Sequence, residues 1–482
     1  MKQYFLKISN LILLVDLNFV FVSILLSTTA IILSNWSIFI LPVIVFVILS
    51  FIYGEKFVIA FVLITLFTLV GEFDRSLRLI IQIVTISLLF IMFLKKFGLE
   101  FVKYRRLPKA LINFLFLYFS AMVISSAMSN YPFAGSSIIL KQLLFFIIVY
   151  VFYSLIDDFS DIKNYISSII VVSFIFSTIS LIYFFIEGYS LLNIVTSGRI
   201  RISILITNPE ALTNFYVISF PFLITYIILQ KHKFSKWIAS FLLFYIVLGL
   251  ILTMSRSAVI GILLNTSIIL YILRKNTFYK LILSLIFIIT CFIVIEPLNE
   301  IVYLLFRFEE GVSVRDYLWL MAINIIKDYP VFGLGPGAYQ YEVFNYFPFM
   351  LDEFFGKVFI YYTDVTDGGN LAHNIFLVFF SEMGILGLIT IIALPVVYFR
   401  IGIKTIKKYK DQSPEIYYLI VALFAAGTSV IVRNIFNSIG LLYVGGLVTD
   451  LPFWLIFGGL IYFYQTPLSK NLLEVNNKTG SK

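Results

Sequence analysis

Between Lys236 and Arg256 the chain carries no charged side chain. A stretch of that length is what an α-helix needs to cross a bilayer, about 20 residues. Similar apolar runs recur along the chain, at 11–33, 36–53, 57–71, 78–94, 109–128, 138–156, 165–186, 209–230, 237–253, 257–273, 279–296, 372–399, 417–434 and 447–464. Backbone in hydrocarbon must satisfy its own hydrogen bonds, and runs this long do so as helices, whereas barrel strands would show short polar–apolar alternation. The sequence predicts an all-α, polytopic membrane protein of about fourteen (12–14) transmembrane helices. Residues 1–464 would form one membrane domain, and 465–482 a polar tail. Composition agrees: 13% of residues are charged, against about 25% in soluble chains.

Lys2 and Lys7 precede the first run as they would in a signal peptide. That run contains Asp16, lacks a small-x-small cleavage site and is followed at once by another span. It reads as a retained first helix. The lone cysteine, Cys291, lies in an apolar run and excludes an intrachain disulfide or a thiolate metal cluster.

The formal charge is +9, but the basic residues are placed as topological signals. With the N-terminus in the cytoplasm, most of the 35 lysines and arginines fall in inward loops, notably 95–109, 231–236, 274–280 and 400–410, while carboxylates collect outside. Basic loops on an anionic leaflet account for the charge without nucleic acid. Both termini are then cytoplasmic. Residues 297–371, between the eleventh and twelfth spans, form a large extracytoplasmic loop. Within it, Ser313 to Tyr329 reads as an amphipathic helix with Val314, Leu318, Met321 and Ile325 on one face, stopped by Pro330 and the run Gly333 to Gly337. An aromatic cluster follows, from Tyr339 and Tyr341 to Tyr361 and Tyr362. It fits either stacking on sugar rings or an interfacial belt.

Candidate chemistry is sparse. Of two histidines, His232 sits in a cytoplasmic Lys-His-Lys loop, while His373 lies at the outer mouth of the twelfth span. If Asn370 caps that helix, His373 occupies its first turn. There the helix dipole disfavours imidazolium and leaves a neutral base available. Glu382, nine residues on, would lie about 180° round and about 13.5 Å along a straight helix. It cannot then orient the imidazole, and a carboxylate at that depth needs a partner or a proton. A structural role fits it, and Gly384 and Gly387 fit close helix contact. Arg199, Arg201, Arg256 and Arg315 all fall outside near membrane spans. Each offers a permanent, planar donor fork matched to phosphate oxygens, or alternatively snorkels to headgroups. Arg78, Lys141 and Arg433 read as snorkelling residues. Asp364 and Asp367 read as solvated carboxylates rather than metal ligands. The run Gly333 to Tyr339 contains G-x-G but has no phosphate-loop context.

Four short motifs in order carry a resemblance. Arg201 is followed by Asn208-Pro209-Glu210, TMSRS surrounds Arg256, Arg315 opens R-x3-W-x10-P-x-x-G-x-G, and Ala372 to Gly387 reads A-H-N-x-F-L-x4-E-x-G-x-x-G. Together they resemble the O-antigen ligase and polymerase family of membrane glycosyltransferases. Glu210 stands where the family's N-P-N turn ends in Asn, adding negative charge near a presumed phosphate site. The resemblance spans Arg199 to Leu388. It implies an undecaprenyl-diphosphate glycan donor, with no nucleotide sugar, no metal and no cofactor, in the bacterial inner membrane with the active site outside. By that resemblance His373 is the base that deprotonates the acceptor hydroxyl, and Arg201 and Arg256 hold the leaving diphosphate. Arg315, Asn374, Glu382 and Arg199 have supporting roles. Partners would be the lipid-linked glycan, the bilayer and a candidate chain-length regulator.

The long aromatic outer loop and the span number favour a polymerase over a ligase acting on lipid A core. A glycan-lipid flippase is the alternative of another class. Against it, the sequence shows no internal repeat and no expected interruption of a helix within the membrane.

Overall fold

The computed structural model describes residues 55–68, 75–98, 105–189, 209–296, 315–346, 372–442 and 446–467. The expected spans at 11–33 and 36–53, and the end of the tail, lie outside them. Every expected span beyond residue 54 has a helix over it: α1 Glu55–Thr68, α2 Arg75–Phe97, α3 Lys109–Met128, α4 Pro132–Leu155, α5 Phe159–Ile186, α6 Pro209–Leu229, α7 Lys233–Leu252, α8 Arg256–Leu273, α9 Lys275–Val294, then α11 Ile375–Tyr409, α12 Pro414–Arg433 and α13 Leu451–Gln465. The amphipathic helix is α10, Arg315–Asp328. No strand occurs among the described residues. Ten of these helices are long and apolar enough to cross a membrane, and two shorter apolar ones accompany them. The fold is that of a multi-pass helical membrane protein.

Local sequence sets the helix ends. Asp158 caps α5 with a reciprocal capping box to Asp161, Ser255 caps α8, and Asn374 caps α11. Connections of three residues, at 129–131, 156–158, 230–232 and 253–255, join successive helices, and helix mouths gather at two ends of the bundle.

α6 and α12 form the centre, packed on each other and on α8. Asn265 of α8, fully buried, ties them together in the apolar interior. Its amide donates to Val217 O of α6 at 2.8 Å and its carbonyl accepts from Ser429 of α12 at 2.5 Å. α9 buries none of its span and lies at the periphery.

α11 is not one straight helix. At Gly384 the backbone turns to φ 60°, ψ −153°, a conformation that disfavours any residue with a Cβ. The break frees backbone groups that an apolar environment cannot satisfy. The segment after Pro330 satisfies them: Leu334 N–H donates to Ser381 O (2.9 Å), Gly335 N–H to Glu382 O (2.7 Å), and Ile385 N–H donates to Pro330 O (3.0 Å). Ser125 of α3 adds a hydrogen bond to Glu382 O at 2.9 Å. The expectation of an uninterrupted twelfth span is thus corrected. Gly384 and Gly387 do not serve helix–helix contact: a Cβ at Gly384 would lie 2.1 Å from Val331 O, and one at Gly387 2.1 Å from Phe379 O of its own helix.

α10 packs its Leu318, Met321, Ala322 and Ile325 into the core, the face expected from the sequence. Tyr339 departs from expectation. Rather than facing sugars or headgroups, it is fully buried and its hydroxyl donates to Leu318 O at 3.1 Å. Tyr341, by contrast, is exposed and stacks on Tyr131, with ring centroids 5.3 Å apart.

Candidate active site

Four helix ends meet at one place. α6 opens with Pro209 and Glu210, a carboxylate favourably set in the first turn of a helix. Its Oε2 accepts from Ser255 and Ser257 hydroxyls at the mouth of α8, both at 3.0 Å, and from Asn437 at 3.3 Å. It also pairs with Arg433, the last residue of α12, at 3.1 Å. Arg433 is 1% exposed. Its guanidinium further donates to Asn214 and Thr213 of α6 and, at 3.5 Å, to Ser257. The expectation that Arg433 snorkels to headgroups is corrected. A cation at that position is stable inside because a carboxylate and several oxygens meet its fork. The negative charge that Glu210 adds is likewise matched within the protein.

Arg256 stands between the two serines that hold Glu210 and is the first residue of α8. Its backbone is therefore fixed on both sides, by the Ser255 cap on Ala258 N and by the Ser257 hydroxyl on Glu210. The side chain is half-buried.

His373 lies immediately before the Asn374 cap, not in the first helical turn. Asn374 Oδ1 accepts from Phe376 N (2.9 Å) and Leu377 N (3.1 Å). Asn374, not Asn370, is thus the cap, and Asn370 itself lies outside the described residues. His373 takes φ 47°, the left-handed region that a side chain rarely adopts. Its neighbours over-determine that conformation: Ala372 is fully buried, Asn374 is committed to its cap, and Ile375 N–H donates to Asn434 O at 3.0 Å. Such strained residues concentrate at functional sites. The bond to Asn434 places the start of α11 one residue from Arg433.

Glu382 is 5% exposed and accepts from Tyr339 N–H at 3.4 Å. Its backbone carbonyl receives Gly335 and Ser125, so both its ends brace the segment that fills the break in α11.

The structure therefore joins the mouths of α6, α8 and α11 with the end of α12, three of them helix N-termini whose dipoles favour an anion. Arg256 and His373 belong to this cluster of helix mouths. Arg315 opens α10, which packs against α11. Arg199, Arg201, Asp364 and Asp367 lie outside the described residues, although Arg201 precedes the α6 mouth by only a short segment. The residues that the sequence reading missed are Arg433, Asn437 and the two serines. A signal was present: Arg433, Asn434, Asn437 and Ser438 crowd polar groups at the end of a span, and a carboxylate at Glu210 demanded a partner.

Residues 241–392 match the family model described as O-antigen ligase. The match runs from α7 past the break in α11 and includes Arg256 and His373, whereas Glu210 and Arg433 lie beyond its ends. No curated protein matches the chain.

Proposed function

On the premise of an O-antigen ligase-type domain over 241–392, we propose that the protein is a polysaccharide polymerase. It would transfer an undecaprenyl-diphosphate-linked glycan onto a lipid-linked repeat unit. In this reading the helix mouths face the extracytoplasmic side of the bacterial inner membrane. The imidazole of His373 takes the proton of an acceptor hydroxyl as its oxygen attacks the anomeric carbon. The bond from that carbon to the diphosphate breaks with inversion, and its electron pair leaves on the polyprenyl diphosphate. Arg256 and Arg201 stabilise the charge that develops there. Arg315 and Arg199 support them, Asn374 fixes the backbone beside the base, and Glu382 braces the loop behind it.

The observation that carries this reading is the joining of the Arg256-bearing mouth of α8 to the His373-bearing mouth of α11 through Glu210, Arg433 and Asn434. A base and a permanent cation are thereby held on rigid helix ends in one cluster. The flippase alternative can no longer be set aside for lack of a broken helix, because α11 is broken at Gly384. It is disfavoured on another ground. In transporters the freed backbone of a broken helix lines the substrate site, whereas here Leu334, Gly335 and Pro330 occupy those groups. The ligase alternative keeps the same chemistry with a different acceptor, and the description of the matched family favours considering it.

The test is transfer by the purified protein from a lipid-linked donor. Arg256→Ala is expected to abolish turnover while the protein still inserts, and Arg256→Lys to restore only part, since a point charge lacks the planar fork. Wild-type turnover in Arg256→Ala removes it from the diphosphate site. Loss of the gene should leave single repeats with no ladder; accumulation of long lipid-linked polymer instead establishes the ligase.

A further inference from the structure

We propose that Arg433 and Glu210 are a positioning pair, which holds the diphosphate side of the site in register with its base. The inference rests on the reading given under Proposed function. Neither residue needs to touch substrate. Glu210 Oε2 is taken up by the donors from α8, α12 and Asn437, and Arg433 is sealed from solvent.

Three observations point to register rather than plain cohesion. First, the guanidinium uses its two terminal nitrogens on different partners. Nη1 goes to Asn214, and Nη2 goes to Glu210, Thr213 and Ser257. One planar group at the end of α12 therefore grips the α6 mouth at three side chains and reaches the α8 mouth at Ser257. Second, its stem packs into the seam where α6 and α8 approach each other closely: a Cβ on Gly261 of α8 would lie 3.0 Å from Arg433 Cδ and 3.0 Å from Val217 Cγ1 of α6. Arg433 is thus seated in the seam between α6 and α8. Third, the adjoining residue, Asn434, receives the N–H of Ile375 at 3.0 Å, two residues from His373. A shift of Arg433 is transmitted through this bond to the residues flanking the base. Bulk cohesion between these helices is already supplied deeper in the bundle by Asn265 and the apolar core.

The geometry makes a lysine a poor substitute. An ammonium keeps the charge and can meet Glu210, but it cannot hold Asn214 with one nitrogen and Glu210, Thr213 and Ser257 with another in a fixed plane. Arg433→Lys and Glu210→Gln should therefore insert normally yet bind the leaving group poorly. The neutral pair Glu210→Gln/Arg433→Met removes the buried charges together, so it should recover thermal stability without recovering register.

The experiment uses the full chain, purified in detergent, and measures both melting temperature and affinity for a short-chain polyprenyl diphosphate by titration calorimetry. Arg433→Lys and the neutral pair are each expected to bind about tenfold more weakly or worse, the neutral pair with a melting temperature near that of the wild type. If the neutral pair melts like wild type and also binds like wild type, the residues are only structural and the proposal is overturned. Should the neutral pair fail to fold, Arg433→Lys decides by the same affinity criterion. Arg256→Ala separates this inference from the reading beneath it. If Arg256→Ala loses binding while Arg433→Lys and Glu210→Gln keep it, only the positioning pair is wrong. If Arg256→Ala itself binds normally, the diphosphate assignment fails.

Discussion

The two ends of the helix bundle use the same residue types for opposite purposes. At the end away from His373, cations cap helix C-termini. Lys408 donates to Phe463 O, Tyr464 O and Thr466 O at 3.1, 3.0 and 2.6 Å, closing the end of α13. Lys96 donates to Leu155 O at the end of α4 and pairs with Asp157, and Arg105 donates to Ile156 O while lying over the Tyr462 ring. These groups meet carbonyls that a helix leaves unsatisfied, where the dipole is negative. They remain partly in water: in the Lys96–Asp157 pair the side chains are 24% and 65% exposed. At the His373 end the mouths of α6, α8 and α11 are helix N-termini, and the cation Arg433 is sealed in with a carboxylate. One end is a set of caps that stay partly in water. The other is a single connected network in which each part constrains the next. A cation's charge therefore says little about its role; burial, and the polarity of the helix ends around it, decide.

The contrast is broken if the two ends respond alike to loss of a cation. Arg433→Met removes the counter-charge of buried Glu210, and should destabilise the protein by about 3–5 kcal/mol, read as a fall in melting temperature of the detergent-solubilised chain. Adding Glu210→Gln should return most of that loss, a non-additivity larger than the solvent-screened Lys96–Asp157 pair should show.

Gly384→Ala sharpens the contrast by attacking the break that seats the segment after Pro330 against α11. The added Cβ would meet Val331 O at 2.1 Å in a left-handed backbone. A cost of about 1–3 kcal/mol is expected for the backbone conformation, plus that of the clash. Limited proteolysis should then nick the segment between Pro330 and Ala338, which is held in the wild type by its bonds to Ser381 and Glu382. Lys408→Met, at the screened end, should cost about 1 kcal/mol or less, since each capping interaction near a surface is small.

Much of the fold was legible because a bilayer permits few solutions. The run at 417–434 became α12, Pro414–Arg433, and the apolar face of the amphipathic segment became the buried face of α10. What escaped the sequence was long-range pairing. Glu210 and Arg433 are separated by 223 residues, and nothing local links them. Read singly, each looked like an intrusive charge. The cap of α11 was misplaced because Asn370 and Asn374 stand close together in sequence; the carbonyl of Asn374 is the one that accepts from Phe376 and Leu377. The break at Gly384 escaped because a glycine in an apolar helix reads as a packing residue unless the partner for its freed backbone is known. That partner, the segment from Pro330 to Gly337, is remote in sequence. The order of motifs singled out His373 and Arg256, and both positions lie within the residues that match the family model.

Under the proposed function the chemistry belongs to the His373 end and not to the Lys408 end. One assay tests it directly: transfer from a lipid-linked glycan donor by wild type, His373→Ala and Lys408→Met, each purified and matched for folded protein. General-base help is worth about 10²–10⁴ in rate, so His373→Ala should lose that factor, while Lys408→Met should stay within about twofold of wild type, as a loss of around 0.4 kcal/mol or less would give. Near-normal turnover in His373→Ala, or an equal loss in Lys408→Met, contradicts the account.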